Sequence, residues 1–320
     1  MSSGKTTISC IFGHRYGRHL ANAIITSKEY CTGKLDIPHV FCLHPSFAYS
    51  AGGYEPPFRV LTDAGISFSY FEHVNSDDVY ERMKKIAPRY VFVCGLRQIV
   101  DPRLLRLTAE WENRLYSPSR GFIGFHPSDL PDGAGLSPVQ WTILDKANAA
   151  TVSAFFLGDA DIDGGDVVDK SRFPCAIDID ADKLDELIGQ HIALLASKIV
   201  ILMIQHNVTA IPQSSLGTRQ PARRQLRSID RWLDFQDDAV SLERRVRAFT
   251  RPYGGAVLLL NDQVCRVYKV GVIDSPGRHR PGEILARDPY LVVQCGKGAL
   301  RLEDIEWIGK RTRDASSAAP

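Results

Sequence analysis

No two of the seven cysteines stand at the Cys-x-x-Cys spacing used by redox and zinc sites; they fall at positions 10, 31, 42, 94, 175, 265 and 295. Several sit inside apolar runs, where cysteine behaves as a small buried hydrophobe. The pattern excludes a disulfide framework and argues for a reduced chain without structural zinc. A charge excess is also lacking. The net charge is +2 over 320 residues, so composition gives no case for a nucleic-acid or membrane-surface protein. No basic stretch followed by an apolar one opens the chain, so no secretory signal is read. No apolar run is read as reaching the roughly 20 residues that span a bilayer. No internal repeat is evident. The expectation from these absences is a cytoplasmic protein with no membrane partner.

What is present is ordinary globular material, 44% hydrophobic and 24% charged, long enough for two domains. The first 120 residues alternate strand and helix signals. Thr6 to Phe12 is apolar and β-rich, Gly13-His14-Arg15-Tyr16-Gly17 breaks it, and Arg18 to Ser27 reads as a helix. Strands follow at Pro38 to Leu43, Ile66 to Phe71 and Tyr90 to Cys94, with helices at Phe58 to Ala64 and Val79 to Ile86. Asn75-Ser76-Asp77-Asp78 is read as the cap of the second helix. Such alternation predicts an α/β fold: a Rossmann-like, doubly wound, mostly parallel sheet with helices on both faces. The long apolar periodicity from Asp180 to Gln205 predicts a helix packed on that sheet. From Ile229 onward short β-like runs, split by Asn-Asp, Pro-Gly and Gly-Lys-Gly turns, predict a small C-terminal β-barrel of OB-like type. The expected division is 1–210 for the first domain, 211–228 for a polar, basic linker, 229–312 for the barrel and 313–320 for a disordered tail. The Gly4-Lys5-Thr6-Thr7 start lacks the upstream strand and glycine of a phosphate-binding loop.

The stretch from Gly121 to Asp166 holds the densest chemistry. An apolar run ends at His126-Pro127-Ser128, a Pro- and Gly-rich loop follows, and a second apolar run leads to an acidic turn containing Asp163. In sheets of this kind ligands bind at the carboxyl ends of strands, where His126 is expected. An imidazole at one strand end and a carboxylate at another form a pair that acid–base chemistry can use. Ser128 and Trp141 would add a polar and an aromatic wall. Asp159-Ala160-Asp161-Ile162-Asp163-Gly164 matches the start of a calcium loop, but the twelfth position, which must be a bidentate Glu, is Lys170. No metal site is expected.

Taken in order, these residues resemble the folate-dependent formyltransferases, the family of methionyl-tRNA formyltransferase and of the N-formyltransferases of nucleotide-linked amino sugars. The likeness lies in His126-Pro127-Ser128-Asp129-Leu130-Pro131, Gly133-Ala134-Gly135, Ser137-Pro138, Trp141 and Ile162-Asp163-Gly164-Gly165-Asp166. It continues through Ile229-Asp230, Trp232, Arg247-Ala248-Phe249, Pro252, Gly255-Ala256, Pro281-Gly282, Cys295-Gly296 and Gly298-Ala299-Leu300. The resemblance implies an enzyme that carries a formyl group from 10-formyltetrahydrofolate to an amine. It implies that His126 and Asp163 take two places of the family's Asn–His–Asp set. Cofactor contacts are implied at Cys94, Gly95, Leu96, Arg97 and Ile99, with Asp159, and substrate contacts at Ser128, Gly133, Gly135, Trp141, His14 and Arg15.

Two positions depart from the family pattern. The place of the usual Asn is Gly124, and the loop glycines flank Ala134 where an Arg is usual. An amide donor at a developing oxyanion is worth about 2.7–4 kcal/mol in comparable sites. A weakly active or non-catalytic ligand-binding protein of the same fold is therefore one alternative. For the acceptor, residues 44–58 contain no Lys or Arg. A tRNA site without basic side chains lacks the main source of affinity for phosphate. Phe47, Tyr49 and Tyr54 suit a base or sugar ring, or simple loop packing. The expected acceptor is a small-molecule amine, foremost a nucleotide-linked amino sugar, with nucleic acid disfavoured. Methionyl-tRNA stays as the alternative because of Arg219, Arg223, Arg224 and Arg227, and a homodimer is left open.

Overall fold

The structure is a computed structural model and describes residues 5–47, 54, 56–109, 121–158, 162–260, 263–275 and 278–310. The chain divides into two compact units. The first takes residues 1–138, 149–175 and 185–225; the second takes 139–148, 176–184 and 226–320.

The first unit is built on a mixed sheet. Its elements run β1 (Thr6–Phe12), α1 (Tyr16–Ile25), α2 (Lys28–Cys31), β2 (Leu35–Asp36), β3 (His39–Leu43), α3 (Phe58–Asp63) and β4 (Ser67–Phe71). They continue with α4 (Asp77–Ile86), β5 (Tyr90–Cys94), α5 (Pro102–Ala109), β6 (Gly121–His126), β7 (Ala149–Phe156), β8 (Val167–Pro174) and α7 (Ala181–Ile204), whereas α6 (Pro138–Leu144), between β6 and β7 in the chain, is grouped with the second unit from Val139, as is the first turn of α7. Strand order is β4-β3-β1-β5-β6-β7-β8, with β2 pairing β1 off this path. From β4 to β6 all pairings are parallel, whereas β7 runs antiparallel to β6 and β8 antiparallel to β7. The central strands β3 and β5 are buried along their whole length. That is why they read as unbroken apolar runs without alternation. The order reverses at β1, with β3 on one side and β5 on the other, so the crevice of this sheet opens at the carboxyl ends of β1 and β5.

Two expectations are corrected. Asn75 does not cap α4. Its side chain donates to the Ile99 carbonyl and accepts from the Asp101 amide, both at 2.9 Å, tying down the loop after β5. Ser76 holds the cap position without a side-chain bond, and the helix relies on Asp77 and Asp78 in its first turn and Lys84 and Lys85 in its last. The second correction concerns α7, which is long and apolar enough to cross a bilayer, with mean hydropathy 2.0 in its best window. Its Ile188, Ile192, Leu195, Ile199 and Met203 form a buried stripe at helical spacing. It also carries Asp185, a buried carboxylate held by the Tyr16 hydroxyl and, at 3.1 Å, by Arg15. A stripe of this kind belongs to a helix packed in a protein core.

The second unit is an antiparallel five-stranded sheet curled into a half-barrel. It contains α8 (Ala239–Phe249), β9 (Ala256–Leu260), β10 (Gln263–Ile273), β11 (Ile284–Ala286), β12 (Leu291–Gln294) and β13 (Ala299–Lys310), in the sheet order β11-β12-β13-β10-β9. Its core joins Leu242 and Val246 of α8 to Leu258, Val267, Val293 and Leu300.

Candidate active site

His126 is the last residue of β6 and is 9% exposed. The loop that follows is fixed from below by Ser153, its partner in register on β7. The buried Ser153 hydroxyl donates to the Ser128 carbonyl at 2.7 Å and accepts from the Leu130 amide at 3.2 Å. Lys170 bonds the Leu130 carbonyl and pairs with Asp129 at 2.5 Å. This explains a lysine where a calcium loop needs a glutamate. The Ser128 hydroxyl turns inward to the Asp132 carbonyl at 3.0 Å. At Gly133 (φ +69°) an added Cβ would lie 2.9 Å from Ser128 Cβ, so the close turn requires glycine.

Asp163 lies in the turn between β7 and β8 with φ +55°, a left-handed conformation that Asp tolerates better than most residues. Gly165 in the same turn rests on backbone: a Cβ there would fall 1.7 Å from the Phe156 carbonyl oxygen. Asp163 Oδ2 accepts from the Gly135 amide at 3.0 Å and stands 3.6 Å from His126 Nδ1. On the other edge of the ring, Nε2 faces the Gly133 carbonyl at 3.2 Å. Both ring nitrogens therefore face oxygen atoms, one of them a carboxylate. The structure thus brings together His126, Asp163, Gly133, Gly135 and Ser128. The arrangement sets an imidazole beside a carboxylate at a strand end, a pair suited to stabilising negative charge and to moving a proton.

Gly124 shares the His126 face of β6 and is in register with Phe155. An added Cβ would lie 2.6 Å from Leu157 Cδ1 and 3.0 Å from Phe155 Cε1. Apolar side chains fill the volume a side chain at 124 would need.

A second cluster forms at the carboxyl ends of β1 and β5. The Gly13 amide donates to the Cys94 carbonyl at 3.0 Å, and Gly95 (φ +67°) leaves no room for a Cβ, which would meet His14 Cβ at 2.1 Å. His14 is buried, its Nδ1 has no partner among the described residues, and burial, helped by Arg15 and Arg97, lowers its pKa to about 3. It is a neutral ring. The Cys94 thiol is buried and its pKa is raised by that burial, so this residue can meet a ligand only through its backbone. Leu96 is half-buried, and Arg97 and Ile99 are exposed. Gln98 locks this loop to the end of β4, accepting from the Val74 amide at 2.7 Å and donating to the Glu72 carbonyl at 2.6 Å.

The Arg15 guanidinium is engaged by Asp185, whose buried charge needs a partner, and this binds it to the fold. Trp141 lies on α6 in the part grouped with the second unit. Tyr54 is buried and bonds the Phe12 carbonyl, a packing role rather than a ring-stacking one. Asp159 and Tyr49 lie outside the described residues. The sequence reading misses Ser153, Leu157 and Gln213, whose Nε2 donates to the carbonyls of Asp163 and Gly165 at 2.6 and 2.7 Å. No local motif announces them, because each acts across a long separation in the chain.

Residues 225–319 match the family described as formyl transferase, C-terminal domain. The chain is 31% identical over 235 residues to the methionyl-tRNA formyltransferase of Nitrosococcus oceani, covering 72% of this chain and 68% of that protein. It is 26% identical over 262 residues to the corresponding protein of Geobacter metallireducens, covering 81% and 79%. Among solved structures it resembles the N-formyltransferase from Helicobacter canadensis in complex with folinic acid and dTDP-3-aminofucose. The TM-score is 0.62 at 12% identity, over 93% of this chain and 99% of that one. It also resembles HypX from Aquifex aeolicus in complex with tetrahydrofolic acid, with TM-score 0.59 at 14% identity, over 93% of this chain and 43% of that one. This chain spans less than half the length of HypX.

Proposed function

The chain belongs to the folate-dependent formyltransferase family, and on that premise we propose that it transfers a formyl group from 10-formyltetrahydrofolate to the amine of a nucleotide-linked amino sugar, with His126 and Asp163 as the reacting pair. The observation that carries the reading is the His126–Asp163 approach of 3.6 Å at the end of β6, inside a loop held by Gly133 and Gly135. The crevice residues fit a folate. The loop from Cys94 to Ile99 offers backbone groups and an exposed Ile99, and beside it the buried Nδ1 of His14, without a partner among the described residues, is a polar handle for a heteroaromatic ring. Bound there, 10-formyltetrahydrofolate supplies an electrophilic formyl carbon attached to a nitrogen leaving group.

The protein's own groups then do three things. The His126 imidazole stands at the end of β6, where a ring N–H can stabilise negative charge developing on the formyl oxygen. Asp163 orients that ring and receives, directly or through water, the proton the amine sheds. The amine nitrogen gains the formyl carbon, the bond from that carbon to the donor nitrogen breaks, and the proton ends on the released nitrogen. Gly124 contributes no donor, so the charge rests on His126 and backbone. An amino-sugar acceptor is supported by the absence of Lys and Arg from residues 44–58. The identity to methionyl-tRNA formyltransferases favours methionyl-tRNA as the second reading.

The two acceptors separate in one assay. The protein is given 10-formyltetrahydrofolate with dTDP-3-aminofucose or with charged initiator tRNA, and tetrahydrofolate release is followed. Formamide formed on the sugar, lost in Asp163→Asn, is the expected result. Transfer to tRNA alone, weakened steeply by salt, would replace the sugar reading with the second.

A further inference from the structure

We infer that residues 211–223, read from the sequence as a linker, are a strap that positions the reacting pair, and that Gln213 is the positioning residue for Asp163. The inference rests on the reading of His126 and Asp163 given above. The strap holds both loops that face His126. At its start Ile211 pairs with Val167, each amide donating to the other's carbonyl at 2.8 Å, so the chain runs beside the end of the Asp163 turn. Two residues later the buried Gln213 side chain reaches into that turn, donating to the carbonyls of Asp163 and Gly165. Arg219 then donates to the Ile162 carbonyl. At the far end the Arg223 amide donates to the Ala134 carbonyl at 2.6 Å and its carbonyl accepts from the Leu136 amide at 2.9 Å. This brackets Gly135, whose own amide donates to Asp163. Gly135 has no space for a side chain, because a Cβ would lie 2.3 Å from the Arg223 carbonyl oxygen.

These contacts converge on one requirement. Asp163 sits in a left-handed conformation, and such a conformation persists only where its surroundings over-determine it. Gln213 supplies that constraint with a single amide group, and its orientation is set by its two acceptors, since reversal would place oxygen against two carbonyls. Its own Oε1 is buried and has no partner among the described residues. The amide group thus serves the turn at the expense of its oxygen. The Gly135 loop and the Asp163 turn are held by one segment, so the carboxylate and the amide it accepts from are set against His126 together.

The test uses the full chain and Gln213→Met, which keeps the length and removes both donors, with Gln213→Ala as a second variant. Hydrogen exchange reads the strap without activity. Residues 162–167 and 133–136 should lose protection while β1, β3 and β5 keep theirs, and unchanged exchange in both loops would overturn the strap. Activity is read on dTDP-3-aminofucose, or on charged initiator tRNA if that is the amine accepted. A drop in kcat of about tenfold or more is expected, because a misplacement of about 1 Å can cost about 100-fold. The KM for the folate should stay within about twofold, since the folate loop lies on β5. In the Asp163→Asn background the same change should add almost nothing. Multiplying losses, or a kcat within about twofold of wild type, would remove Gln213 from the site. Should Asp163→Asn itself leave turnover unchanged, the reading of the reacting pair fails instead, and the exchange data still decide the strap.

Discussion

Leu157 stands where an amide side chain at position 124 would have to go, and that makes a double substitution the sharpest test of how the site is built. A Cβ added at Gly124 meets Leu157 Cδ1 at 2.6 Å and Phe155 ring atoms at 3.0 and 3.1 Å, so Gly124→Asn overpacks β6. Because Leu157 Cδ1 is the tip of a flexible, half-buried side chain, the cost should lie at the low end of the range for core overpacking, about 1 kcal/mol. Leu157 is half-buried, so Leu157→Ala alone should cost near the low end for such truncations, about 2 kcal/mol. If the clash is the whole difficulty, the double variant should be no less stable than Leu157→Ala, a coupling of about 1 kcal/mol. In a unit of this size each kcal/mol corresponds to about 2–4 °C in Tm, so calorimetry resolves the cycle. A donor aimed at the developing oxyanion is worth up to about 100- to 1,000-fold in kcat, so the double variant should also outpace Leu157→Ala. Strictly additive stabilities would refute the claim that Leu157 fills this volume. A gain in kcat from Gly124→Asn alone, at unchanged Tm, would refute it as well.

Three other substitutions probe the same geometry. Asp163→Asn keeps a residue type suited to φ +55° and should leave Tm within about 2 °C while lowering kcat by about 100-fold or more; a full-rate Asn variant would exclude the carboxylate from the reaction. Gly165→Ala forces a Cβ onto the Phe156 carbonyl and should cost about 3 kcal/mol in urea denaturation, with formyl transfer lost sooner than the fold. His39, buried between the hydroxyls of Ser67 and Ser69, has its pKa lowered to about 4 by burial and then by Arg82. Its unfolded form takes up a proton near pH 6.5, so the unfolded state binds more protons between about pH 6.5 and 4, and stability falls as pH falls through that window. The margin by which wild type exceeds His39→Gln should therefore shrink by up to about 2 kcal/mol between about pH 7 and 5. A margin independent of pH would show that the ring is not held neutral.

Much of the sheet was legible because burial on both faces leaves a plain mark. The runs of β1, β3 and β5 need apolar side chains throughout, and glycine or proline closes each of them. The short β2 and α2 left no such mark, since two and four residues carry no period. The reversed direction of β7 and β8 was not legible either. Direction is decided by where a connection returns, and β8 offers only the half-buried Lys170 and Ser171 at its centre. Of the candidate site, His126 and Asp163 could be named because one closes an apolar strand and the other sits in the acidic, glycine-rich turn after a second apolar run. Their supports could not. Ser153, Leu157 and Gln213 stand 27, 31 and 87 positions from His126 in the numbering, and nothing in a polar, aperiodic segment distinguishes a strap from a spacer.

The strap also sets an order of events during synthesis. By the time residue 204 has left the ribosome, every strand of the large sheet exists, and so do His126 and Asp163. Yet the turn bearing Asp163 has not met Gln213, and the loop bearing Gly135 has not met Arg223. A nascent chain of that length can form its core while its reacting pair is still unset. Competence arrives roughly twenty residues later, in a step that closes two loops at once over a long sequence separation. A fragment cut at residue 210 should then fold, bind at the β5 loop and turn over almost nothing, whereas one carried through residue 225 should not share that defect.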